Sequence, residues 1–183
     1  MRRPVRAAAV LALLAAAALA GCSDDEPGAT TPEHTLPSTP AEPAWNPCDA
    51  LDPAPVSRAL GAEVTLEAGT PEAPRCSLLP VEPGGPTLNV TYAWTQVGLA
   101  ETIDQLQLPE GVDVRTPEVA GADDARLVVN VRDDAAAVTG FVDDGDLVQT
   151  VNALDLAPHD AATLVAATTE VVRQLSAAAP EEP

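Results

Sequence analysis

The chain has no lysine: its nine basic residues are all arginine, and they face 28 carboxylates for a formal net charge of −19. An excess of that sign repels phosphate backbones, which excludes nucleic acid as a partner and leaves cationic species as the ones electrostatics would steer in. The same acidity also serves plain solubility. Aromatic residues are nearly as scarce. Trp45, Tyr92, Trp94 and Phe141 are the whole set, which argues against an aromatic-lined cleft. Histidine occurs twice, at His34 inside a proline-rich stretch and at His159 beside Pro158. No Gly-x-Ser-x-Gly elbow surrounds Ser57, Ser77 or Ser176, so no nucleophile and base are paired by pattern. A glycine-rich phosphate loop and a His-Glu-x-x-His pattern are missing, and Ser-x-x-Lys is impossible without lysine. Carboxylates are so abundant that any pair drawn for glycoside chemistry is unspecific. The sequence therefore points to no enzyme and to no catalytic, cofactor-binding or metal-ligating residues.

An apolar run long enough to span a bilayer is also lacking. The segment from Ala7 to Ala20 falls short of the ~20 residues a spanning helix needs. It follows Arg2, Arg3 and Arg6 and ends in Leu19-Ala20-Gly21-Cys22. A basic start, a short apolar run and small residues before the cut describe a secretory signal peptide. The cysteine placed directly after Leu-Ala-Gly resembles the bacterial lipobox. That resemblance implies acylation of Cys22, cleavage before it, and a mature protein held by lipid on the extracytoplasmic face of the cell membrane. Setting aside the three leader arginines leaves six cations against 28 carboxylates, a net charge of −22.

Residues 22–44 are rich in Pro, Thr, Glu, Ser and Ala with hardly an apolar side chain. Such a stretch buries no core and reads as an extended tether. Residues 45–179 remain for one folded domain of ordinary size, followed by a frayed tail at 180–183. With Cys22 assigned to lipid, Cys48 and Cys76 are an even pair in an exported chain and are expected to form a disulfide, joining the opening helix to a nearby strand. Two cysteines without further ligands at useful spacing do not make a zinc site.

Within the domain, Leu51, Val56 and Leu60 fall near helical spacing, with Asp52 to cap, Pro53 at the first position and Gly61 to stop. Val64–Leu66 and Cys76–Leu79 read as short strands on either side of a turn-rich segment from Gly69 to Pro74. Thr87 to Trp94 alternates strictly: Leu88, Val90, Tyr92 and Trp94 take one face, Asn89, Thr91 and Ala93 the other. Leu99, Ile103 and Leu106 predict a short amphipathic helix, closed by Pro109 and Gly111, and Val112–Arg115 a brief strand. Three further strands follow, Arg126–Arg132, Ala136–Val142 and Leu147–Ala153, punctuated by aspartate turns. From about Pro158 to Ala178 a helix carries an apolar stripe of Leu164, Thr168, Val171 and Leu175, flanked by Val165 and Val172, with Asp160 in the first turn. The expectation is an α+β domain in which the C-terminal helix covers one face of an antiparallel sheet, with a meander in the C-terminal half.

In such a meander alternate turns share an end. Asp123 and Asp124 should approach Asp143, Asp144 and Asp146, while Asp133 and Asp134 lie opposite. Hard cations favour oxygen-rich ends, but the spacing departs from the Asp-x-Asp-x-Asp-Gly calcium loop, and Asp-Gly suits a tight hairpin by itself. No metal is expected there.

The Pro47-Cys48-Asp49-Ala50-Leu51 opening, Arg58-Ala59-Leu60-Gly61, Cys76, the alternating strand, Val119 to Ala125 and the Ala-rich last helix together resemble a family of small actinobacterial cell-envelope lipoproteins, mycobacterial ones among them, of unknown function. The resemblance spans about Asn46 to Ala178 and implies location, disulfide and α+β fold, with no mechanism. The functional expectation is a non-enzymatic binding or accessory module in the cell envelope, its partner left open between an envelope protein and an apolar ligand. The alternative is a carrier of an apolar, lipid-like ligand in a helix–sheet cavity; an enzyme comes third.

Overall fold

Asn46 Oδ1 accepts a hydrogen bond from Cys48 N at 2.9 Å, and Pro47 supplies a preset φ, so the described chain opens in a 3-10 helix, Pro47–Ala50. Asp52 then caps α1, Pro53–Leu60, by accepting from Ala54 N at 2.9 Å, and Gly61 at φ 66° stops it. These are the capping residues expected from sequence. The computed structural model describes residues 45–181; Cys22, the leader and the tether lie outside the described residues, as do the last two.

Seven strands follow: β1 (Val64–Thr70), β2 (Ala73–Pro80), β3 (Thr87–Trp94), β4 (Asp113–Arg115), β5 (Asp124–Val131), β6 (Ala135–Asp144) and β7 (Leu147–Leu156). They form one antiparallel sheet in the order β1-β2-β3-β7-β6-β5-β4. Two meanders, β1 to β3 and β4 to β7, meet along their last strands, with Thr87 opposite Leu154 and Trp94 opposite Leu147. The connection from β3 carries α2, Leu99–Gln105, across one face to the far edge. Helix α3, Ala161–Ala177, returns over the other face. The α+β class, the C-terminal meander and the covering last helix are all present.

Three details differ from the sequence expectation. The turn read over Gly69–Pro74 shrinks to Pro71-Glu72, because β2 begins at Ala73 and Pro74 lies outside the stretch paired with β3, where its missing N–H costs no ladder bond on that side. The Cys48–Cys76 disulfide, with Cα atoms 4.9 Å apart, joins β2 to the 3-10 helix and not to α1. Helix α3 starts at Ala161 and not near Pro158, since Asp160 is its cap and accepts from Ala162 N and Thr163 N.

Alternation divides the sheet cleanly. Leu78, Leu88, Val90, Leu127, Val129, Val138 and Val151 point to one face, here called inner, where they meet Val56 of α1 and Leu164, Ala167, Val171, Val172 and Leu175 of α3. Burying each large apolar side chain contributes roughly 1.5–3 kcal/mol. Gly140 of β6 lies directly beneath α3: a Cβ there would stand 2.8 Å from Thr168 Cγ2 and 2.9 Å from Val172 Cγ2. The missing side chain is what lets the helix come down onto the strand. Among the described residues no helix is long and apolar enough to cross a membrane.

Candidate functional site

The outer face has a different composition. Its central row follows from register: Ser77 of β2, Asn89 of β3, Asn152 of β7 and Thr139 of β6 are successive cross-strand partners, and Val128 and Val114 continue the row through β5 and β4. Ser77 Oγ donates to Asn89 Oδ1 at 2.8 Å, and Thr139 Oγ1 donates to Asn152 Oδ1 at 3.1 Å. A second row holds Thr91, Thr150 and Phe141. In a chain with 28 carboxylates, the outward positions of β3, β7 and β6 carry one, Asp143, and it is only 6% exposed. The flanking charges are Glu67 on β1, the exposed Arg75 on β2, and Asp124 with Arg126 on β5.

Helix α2 covers one end of this face. Leu99, with Ile103 and Val112, packs against Val128 and Phe141 in a second, smaller core. Its cap position is Gly98, which has no side chain to offer, so the sheet supplies one: Asp143 Oδ2 accepts from Leu99 N at 3.0 Å. Beyond α2, Leu106 and Leu108 remain exposed and wall an open groove of about 310 Å³ whose floor includes Thr139, Phe141, Thr150 and Asn152. That volume is at the lower end of ligand-site sizes, ~300–1,000 Å³.

At the same end of the sheet the aspartates gather as expected. Asp124 pairs with Asp143 across β5 and β6, Asp123 N donates to Asp143 O at 2.8 Å, and Asp123 Oδ2 accepts from Gly145 N at 3.0 Å. Gly145 turns the β6–β7 hairpin at φ 74°, a conformation that favours glycine. The carboxylates have structural partners: Asp124 binds Arg126, and Asp144 accepts from Ser176 Oγ at 2.6 Å and from Gln149 Nε2 at 3.0 Å. Burial pushes the Asp143 carboxyl above its ordinary 3.8; the Leu99 N–H opposes this, and the nearby charges of Asp123, Asp124 and Asp144 add to it. Its Oδ1 and the Oε1 of the fully buried Gln149 have no partner. Among the described residues no three Asp, Glu, His or Cys side chains group so as to hold a metal ion. Asp133 and Asp134 lie at the opposite end, where Ala157 N donates to Asp134 O at 2.9 Å.

His159 is also at that opposite end, its Nε2 2.8 Å from the Arg132 carbonyl oxygen, which serves to tie the start of α3 to the β5–β6 turn. Tyr92 Oη donates to Trp45 O at 2.9 Å, and the two rings meet edge to face with centroids 5.1 Å apart, closing the domain's opening segment onto β3. Sequence alternation marks Asn89 and Thr91 as one face of β3. It cannot see that Asn152, Thr150 and Thr139 line up beside them, because pairing β3 with β7 is a long-range choice. Compared with known proteins, the chain matches no family model, no curated protein and no solved structure.

Proposed function

We propose that this protein is a membrane-anchored extracytoplasmic lipoprotein, held by acyl chains on Cys22, that acts as a non-enzymatic binding or accessory module of the cell envelope. The anchor reading rests on the basic start, the apolar run and Leu19-Ala20-Gly21-Cys22, all in the sequence. The binding reading rests on one observation: a sheet whose inner face is sealed by α1 and α3 presents an outer face whose three central strands, β3, β7 and β6, carry no exposed charge and which α2 covers only in part. A domain this acidic has ample charged residues to solvate that face and places them on its flanking strands, not on the central three.

The carrier reading asks for space between helix and sheet. The close seating of Thr168 and Val172 over Gly140 leaves none at that crossing, so an apolar ligand in that layer is the weaker reading. An enzymatic reading is weaker still, with the His159 ring occupied by the Arg132 carbonyl and Asp124, Asp143 and Asp144 committed to protein partners. Metabolic labelling with a palmitate analogue tests the anchor directly. The wild-type chain should incorporate label and stay with the membrane fraction, and Cys22→Ser should do neither. Full labelling of the variant would refute the assignment.

A further inference from the structure

We propose that the outer sheet face binds a neutral saccharide, with the amides of Asn89 and Asn152 as its principal contacts. The inference rests on the binding-module reading above and names its ligand class. Three observations carry it, and the first is charge. Across β3, β7 and β6 the outward side chains are Thr, Asn, Ala, Val, Leu and Phe, apart from the buried Asp143. A polyanion would be repelled by the rest of a −19 chain and a polycation would find no carboxylate on these three strands to pair with, so the face complements an uncharged polar ligand.

The second observation is how the amides are held. Ser77 Oγ and Thr139 Oγ1 each donate to an Asn Oδ1, which fixes both amide planes across the strands. An amide whose oxygen is so engaged turns its NH₂ group away as a donor. Two preset donors on adjacent strands, with the hydroxyls of Thr91 and Thr150 in the next row, match a ligand that presents several hydroxyls in a plane. The third observation is the groove wall. Leu106 and Leu108 stand exposed beside Thr139, Thr150 and Asn152, an apolar edge against which the C–H face of a pyranose ring can lie while its hydroxyls reach the row. A purely apolar ligand would leave both amides and the hydroxyls unpaired on binding, at a desolvation cost.

The test uses full-length protein and calorimetric titration with hexasaccharides of glucose, mannose, galactose and arabinose, beside a heparin hexasaccharide and a fatty acid, with sedimentation to follow self-association. Expected is saturable binding of at least one neutral hexasaccharide, none of heparin, and a loss of roughly tenfold or more in affinity for Asn89→Asp with Asn152→Asp, both at exposed positions, with a melting temperature lowered by no more than about 5 °C because the two carboxylates face each other across β3 and β7. Asn152→Gln, which keeps the amide but moves it, should bind more weakly than wild type and more tightly than the double aspartate variant. Failure of every neutral hexasaccharide overturns the proposal, as does binding that the double variant leaves intact, or occupation of the face by fatty acid or by a second copy of the chain. A photo-crosslinker at position 152 in whole cells separates this outcome from failure of the module reading: crosslinks to an envelope polypeptide with no saccharide binding overturn the ligand class alone, and an absence of both overturns the module.

Discussion

The two faces of one sheet are built to different rules. On the inner face the central positions are aliphatic side chains apart from Cys76 of the disulfide, the buried Gln149 and the glycine that admits α3, and Leu78, Leu88, Val90, Val138, Val151, Leu164 and Leu175 are all at 0% exposure. On the outer face only the end beneath α2 is dry. There Leu99, Val128 and Phe141 form a small core, while Leu154 and Leu156 stand 45% and 62% exposed beyond the Asn and Thr row. Free energy of folding is concentrated on one side of the sheet, which leaves the other free to be chosen for contact. A face that does not hold the fold together can carry polar groups aligned for a partner.

The sharpest way to break that comparison is to truncate one large residue on each side. Leu164→Ala removes a fully buried side chain from the α3–sheet layer and should lower stability by roughly 3 kcal/mol, within the usual range of about 2–5 for such truncations, measured by urea unfolding. An effect near zero would mean that α3 is not the element that closes the core.

A smaller effect, of opposite sign, is expected at the one charge buried on the outer side. Because Asp143 titrates above its ordinary 3.8, the native state holds this proton more tightly than the unfolded chain does. Its contribution to stability therefore rises as pH falls through the folded value, and the gain is complete once pH reaches the ordinary carboxylate range. Asp143→Asn keeps an oxygen for the Leu99 N–H and removes the charge. It should raise the melting temperature at pH 7 by a few degrees, and the advantage over wild type should shrink on acidification toward pH 4. A variant less stable than wild type at pH 7 would show that the ionised carboxylate is needed to cap α2.

The smallest effect should come from Leu156→Ser. This leucine lies on the outer face at the far end from α2, and its replacement should change stability by no more than about 0.5 kcal/mol while improving solubility. A loss comparable to Leu164→Ala would show that the outer face is covered in solution, and the distinction between the faces would fall.

The short-range features of this fold were legible in the residues because their causes are local. Asp52, Pro53 and Gly61 bound α1, and strict alternation from Thr87 to Trp94 marks β3 to the residue, whereas Asp160, read as a first-turn residue, is the cap of α3. The cysteine pair was legible from parity and the expectation of export, and the closeness of Asp123, Asp124 and Asp143 from the geometry of a meander. Tertiary structure decided the rest. Whether β3 lies beside β7 or at an edge depends on which buried faces match, and Leu88 opposite Ala153 and Val90 opposite Val151 make that choice across some sixty residues of chain, a separation at which no local signal operates. That pairing brings Asn89 to Asn152 and creates the polar row. The same assembly gives α2 the cap that its own Gly98 lacks, by carrying Asp143 to Leu99 N across 44 residues. The sequence determined which elements form and which of their faces are apolar, since those follow from periodicity and capping. Only packing decided which polar residues share the exposed face, because polar side chains on different strands have no pattern in common until the buried ones have set the register.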